Sequence, residues 1–122
     1  MPRVVHFGLA ADDPERAAGF YRTVFGWQIE KWDGPMDYWL IMTGPEDEPG
    51  IDGGLGKRGD PGEHTTNTID VDSVAEYVEK VVANGGTVVM PPHAVPGVGY
   101  MALCADTEGN IFGMMESDPE AQ

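Results

Sequence analysis

Two stretches of about sixty residues run through the same order of elements, and that repetition constrains the fold more than any other feature of the sequence. In the first stretch, Val5, Phe7 and Leu9 alternate with Val4, His6 and Gly8, a strand pattern over 3–9. Asp12-Asp13-Pro14-Glu15 then reads as a helix start: Asp13 at the N-cap, Pro14 at the first helical position, Glu15 near the positive end of the helix dipole. Ala17, Ala18, Tyr21, Val24 and Phe25 fall on one helical face, and Gly26 ends the helix. Strands are expected over 27–32, 36–43 and 51–57, with the acidic loop 44–50 between the last two.

The second stretch repeats the order. A strand over 65–71 leads into Ser73-Val74-Ala75-Glu76, a capping box. Val74, Val78, Val81 and Val82 form the apolar stripe of a second helix, and Asn84-Gly85-Gly86 stops it. Strands follow over 87–90, 99–105 and 111–116. Pro91-Pro92-His93-Ala94-Val95-Pro96-Gly97 is too rich in proline for a central strand and is expected to be a loop. The two copies align through Leu9 with Ile69, Asp13 with Ser73, Ala18 with Val78, Gly26 with Gly86, Gly53 with Gly113 and Leu55 with Met115. Tyr38 and Tyr100 correspond after a slip of two residues.

Composition narrows the function classes. The 122 residues carry 7 basic and 21 acidic side chains, a formal charge of −14. Such a chain repels nucleic-acid phosphates and anionic membrane surfaces. Hydrophobic residues make up 41%, enough for a core despite the charge. No run approaches the ~20 apolar residues of a membrane span, and the N-terminus lacks the apolar stretch of a signal peptide, so a cytoplasmic location is expected. The lone Cys104 sits in an apolar run as a core residue and excludes an internal disulfide. Ser73 and Ser117 are the only serines, which disfavours serine catalysis, and the glycines of 50–59 precede no helix and lack a phosphate-loop signature.

Val5-His6-Phe7, the Asp12–Ala17 helix start, Phe20-Tyr21, Val24–Trp27, Asn84–Val89, Pro96–Tyr100 and Asp106-Thr107-Glu108-Gly109-Asn110 together resemble the vicinal oxygen chelate superfamily, which holds glyoxalase, bleomycin-resistance and dioxygenase type proteins. The resemblance covers nearly the whole chain. It implies an α+β fold of two repeated βαβββ modules whose mixed sheets curl around a cavity. The chain would be one domain over 1–122, with modules of about 1–60 and 61–117 and a short acidic tail, 118–122. It also implies a homodimer and a small-molecule ligand.

Metal-dependent members place His, Gln or Glu at four positions, on the first and last strands of each module. Carried onto this sequence, those positions fall on His6 and Glu116, and on Gly56 and Thr66, which are poor or impossible ligands. His64, two residues before Thr66, would point to the same side of an extended strand and substitute for it. The resemblance thus implies one divalent ion (Zn, Ni, Mn or Fe) at His6, Glu116 and His64. That ion would polarise paired substrate oxygens, with Glu116 as the catalytic proton shuttle. Tyr38, Trp39 and Tyr100 are the expected pocket aromatics. The residues alone leave other readings open. His6 can be a buried, hydrogen-bonded polar group, Glu116 a solvated carboxylate, and the aromatics ordinary packing. Function is accordingly read as a glyoxalase- or dioxygenase-like enzyme of unassigned substrate or, alternatively, as a nonenzymatic binder that sequesters a small toxic compound.

Overall fold

The computed structural model describes residues 2–34, 36–59 and 65–122. The chain is α+β and divides into two compact units, His6–Thr65 and Thr66–Gln122, the latter joined by residues 1–5. The first unit holds β1 (Arg3–Ala11, its first three residues counted with the other unit), α1 (Pro14–Phe25), β2 (Gln28–Lys31), β3 (Tyr38–Met42) and β4 (Asp52–Lys57). The second holds β5 (Thr66–Asp70), α2 (Val74–Ala83), β6 (Thr87–Val95), β7 (Gly99–Ala105) and β8 (Ile111–Ser117).

The pairing is the same in both. In the first unit the strand order is β2-β3-β4-β1, with β1 and β4 parallel and the other pairs antiparallel. In the second it is β5-β8-β7-β6, with β5 and β8 parallel and the others antiparallel. A parallel pair needs a crossover that spans the sheet. Here the helix and the two following strands provide it.

Both helices begin and end where their cap residues place them. The Asp13 carboxylate accepts from the Arg16 amide at 3.2 Å, and Pro14 opens the first turn. Gly26 closes α1 at φ 72°, a left-handed conformation that glycine adopts without strain. Ser73 Oγ accepts from the Glu76 amide at 3.3 Å. The buried faces are narrower than the sequence stripes. Ala17, Ala18 and Tyr21 pack on the first sheet, while Val24 and Phe25 stay exposed. In α2, Val74, Val78 and Val81 pack and Val82 is exposed.

Each helix covers one face of its own sheet. In the first unit, Ile29, Trp39, Ile41 and Leu55 meet Ala18, with Phe7, Leu9 and Trp27 around them. Leu55 is completely buried, worth roughly 1.5–3 kcal/mol relative to exposure. In the second unit the corresponding cluster is Val71, Val74, Ala102, Cys104 and Met114. Cys104 is buried there, as its apolar run implied, and burial pushes its thiol up.

One sequence expectation is corrected. The proline-rich segment is not a loop, because β6 runs through Pro91 and Pro92 to Val95. It does so at the outer position of the β5-β8-β7-β6 order, with register shifts between Val88 and Met90 and between Met90 and His93. An edge position and a bulge are the two places where a strand tolerates residues that lack an N–H.

Replacing Asp13 with alanine removes the α1 cap and is expected to lower unfolding free energy by about 1 kcal/mol in urea titration. Asp13→Asn, which keeps an acceptor, should recover most of that loss.

Candidate functional site

The register of β1, β3 and β4 decides which side chains stand on the face of the first sheet away from α1. His6 opposes Asp52, Gly8 opposes Gly54 and Ala10 opposes Gly56. On the other side of β4, Tyr38 opposes Gly56 and Leu40 opposes Gly54. Since Phe7, Leu9, Trp39, Ile41 and Leu55 pack toward α1, their alternating neighbours point the other way. That face therefore carries His6, Tyr38, Leu40 and Asp52 around glycines.

Tyr38 reaches across β4 to His6. Its hydroxyl lies 3.2 Å from His6 Nε2. The Trp32 ring meets the Tyr38 ring edge-on, with centroids 6.3 Å apart. Burial pushes the His6 imidazole below its ordinary value, and the nearby Asp52 charge opposes that only in part. Burial also pushes the Tyr38 phenol up. At neutral pH the pair is therefore an uncharged imidazole beside an uncharged phenol. Such a pair suits an oxygen that needs both an acceptor and a donor.

Asp52 is engaged at its other side. Its Oδ1 accepts from the Thr43 amide at 3.0 Å. An open groove of about 610 Å³ runs from there, lined by Gln28, Met42, Thr43, Glu46 and Asp52 among others. Its volume lies in the ordinary range for small-molecule sites.

The other expected site residues are elsewhere. Trp39 is 7% exposed and sits in the core against α1, where its indole N–H donates to Glu15 Oε1 at 2.7 Å. Tyr100 packs against the core cluster of the second unit. The Glu116 Oε1 accepts from the Val74 amide at 3.1 Å and so caps α2 beside Ser73. His64 lies outside the described residues.

Strand register explains these placements. Leu9 opposes Leu55 and Ile69 opposes Met114, so Leu55 corresponds to Met114 rather than Met115. By the same registers Tyr38 corresponds to Met101, and Glu116 to Lys57 rather than Gly56. A slip of one residue moves a side chain to the opposite face. Tyr100 and Glu116 accordingly lie on the helix side of their sheet, whereas Tyr38 and Gly56 lie on the side away from α1. Asp52 is the residue that sequence reasoning passed over, although its place at the start of a strand opposite His6 is what puts its charge there.

The donor set was tested against a divalent ion. Among the described residues, no three His, Cys, Asp or Glu groups converge on a position that could hold one. His6 faces a phenol, and Glu116 holds a helix amide. The described residues do not fit the group, and no step is derived through it.

Residues 3–114 match the model of the Glyoxalase/Bleomycin resistance protein/Dioxygenase superfamily, and the chain belongs to that family. A curated relative from Mycobacterium bovis, named "Putative glyoxylase CFP32", is 28% identical over 116 residues. That alignment covers 92% of this chain and 43% of the relative, so the chain spans less than half the length of the curated relatives it matches. Among solved structures, a hypothetical protein from Bacillus halodurans superposes with a TM-score of 0.73 at 16% identity, covering 99% of this chain and 98% of the other. A Streptomyces coelicolor methylmalonyl-CoA epimerase, in complex with 2-nitronate-propionyl-CoA, superposes at 0.71 and 16%, covering 98% and 97%. At these identities the structures establish a shared fold. No helix among the described residues is long and apolar enough to cross a membrane.

Two outcomes follow from the site geometry. A histidine whose folded value lies below its unfolded one binds fewer protons folded than unfolded, so it opposes folding as the pH falls. Stability is expected to drop as pH falls below about 6.5 toward the lowered His6 value, and His6→Gln should flatten that part of the profile in urea titrations. Glu116→Ala should cost about 1 kcal/mol of unfolding free energy by uncapping Val74, while leaving the His6 and Tyr38 ring resonances in place.

Proposed function

We propose that this chain binds a small organic molecule on the face of the first sheet away from α1, with a carbonyl or hydroxyl oxygen of the ligand at the His6–Tyr38 pair. The observation that carries the reading is the 3.2 Å contact between His6 Nε2 and the Tyr38 hydroxyl on a face otherwise paved by small residues. An uncharged acceptor and an uncharged donor together complement a polar oxygen without the desolvation cost of a buried charge. The groove beside Asp52 gives the rest of such a ligand room. Family membership supports the reading, and so does a fold shared with an epimerase whose structure holds a CoA analogue.

A glyoxalase-type lyase or isomerase is the second reading, favoured by one feature. An imidazole held below its ordinary value is free to accept a proton at neutral pH. On this face His6 is the group that would take a proton from substrate, with Tyr38 holding the adjacent oxygen. Ligand sequestration needs the same contacts and no proton transfer.

The test is a thermal-shift screen of 2-oxoaldehydes, acyl-CoA thioesters and aryl ketones, with every stabilising compound titrated calorimetrically. Compounds bound at this face are expected to lose about tenfold in affinity with His6→Ala and several-fold with Tyr38→Phe. Compounds bound equally well by wild type and His6→Ala would sink the reading. Turnover that falls as His6 protonates selects the enzyme, and tight binding without turnover selects the sequestering protein.

A further inference from the structure

The floor of the His6 face is unusual in having no side chains where two strands meet. Gly8 and Gly54 oppose one another across the parallel pair, and the next open-face pair is Ala10 with Gly56. The strip is thus a flat stretch of bare backbone. The Tyr38 ring lies on it. A methyl group at Gly54 would fall inside the Tyr38 phenol, nearest to its hydroxyl oxygen and Cζ. At Gly56 the same methyl would meet the ring only at ordinary contact, 3.7 Å from Cδ1. Gly54 is therefore the position that lets the ring lie flat, and His6 is where its oxygen ends. Trp32 meets the ring edge-on.

The corresponding strip of the second unit is filled. By strand register Gly113 corresponds to Gly54, Thr68 to Gly8, Met101 to Tyr38 and Leu103 to Leu40. A methyl at Gly113 would lie 3.0 Å from Thr68 Oγ1, 3.5 Å from Leu103 Cδ2 and 3.7 Å from Met101 Cε. Only flexible or branched side chains gather there, and they define no flat slot. In the first unit a planar ring with one polar oxygen already occupies the strip, supplied by the protein itself.

We propose that the Gly8–Gly54 strip is a binding slot for one planar ring bearing a hydroxyl or carbonyl oxygen, and that Tyr38 fills it until such a ring takes its place. The ligand class is a phenol or aryl carbonyl whose oxygen replaces the Tyr38 hydroxyl at His6 Nε2. The slot deepens the ligand site proposed above and rests on that reading. Tyr38 is attached through a rotatable side chain, so its ring can leave while the strands stay in place. Gly54 sets the flatness of the slot, and His6 sets the polarity of its end.

Calorimetric titration with p-cresol, and with cyclohexanol as a non-planar control, tests this. Tyr38→Ala should bind p-cresol about tenfold more tightly than wild type does, because the resident ring no longer competes. Cyclohexanol should bind Tyr38→Ala at least several-fold more weakly than p-cresol. Adding Gly54→Val to Tyr38→Ala should abolish p-cresol binding, and adding His6→Ala should remove its preference over toluene. Equal affinity for p-cresol and cyclohexanol, or p-cresol binding that survives Gly54→Val, overturns the slot. Where Tyr38→Ala fails to fold, wild type decides by NMR. Displacement of the Tyr38 ring resonances by millimolar p-cresol and not by cyclohexanol supports the slot, and any other result overturns it. A screened ligand that depends on His6 but tolerates Gly54→Ala overturns the slot alone, leaving the wider reading in place.

Discussion

Each helix can cover only one face of its sheet, and the arrangement of the first unit follows from that limit. Along β1, β3 and β4 every second residue is drawn toward α1 by burial. Phe7, Leu9, Trp39, Ile41 and Leu55 satisfy that demand. The alternate residues are released from it, and there the sequence carries His6, Gly8, Tyr38, Gly54 and Gly56. The polar pair does not interrupt the core. It sits on the side the core does not need.

Much of this architecture is legible in the sequence because it depends on local chemistry. Asp13, Pro14 and Gly26 act within one helical turn of their own position, and so does Ser73 with Glu76. Strand alternation around Leu9, Ile41 and Leu55 is equally local. The assignment of His6 to the side away from the helix follows from the same alternation, since Phe7 is apolar and must turn inward. The ring contact between Tyr38 and His6 is not local. It spans β4 and depends on Gly54 having no side chain.

What resisted sequence reading was the strand register between the two halves. An offset of sixty residues aligns Leu9 with Ile69 and also aligns Gly53 with Gly113, yet the strand pairs show Gly113 opposite Thr68 and Gly53 opposite Phe7. The offset has therefore changed by one residue before the last strand. Hydrophobic identity hides the change, because Met114 and Met115 are interchangeable in sequence and opposite in space. Glu116 is affected most. Two residues beyond Met114 it shares the helix side of β8, where the Val74 amide is within reach. Its carboxylate serves the fold by satisfying one of the unpaired amides that begin any helix.

The charge of −14 is borne largely by exposed residues, and the few cations are spent close to the fold. Arg22 donates to the Ile29 carbonyl at 2.6 Å and lies 3.9 Å from Glu15, which itself accepts from Trp39. Arg58 donates to the Ala10 carbonyl and pairs with Asp12 at 3.3 Å. Both arginines thus tie backbone and carboxylate together at the ends of strands. The ion pairs themselves are exposed and contribute little, but the hydrogen bonds to backbone fix chain paths that lead to and from β1 and β2. None of these cations reaches the His6–Tyr38 pair, whose nearest listed charge effect comes from Asp52 alone and is outweighed by burial. Neutrality there is set by burial, on a strongly acidic chain that would otherwise favour a protonated imidazole. Keeping the imidazole neutral preserves its ability to accept, and a site that must hold a ligand oxygen depends on that property more than on charge.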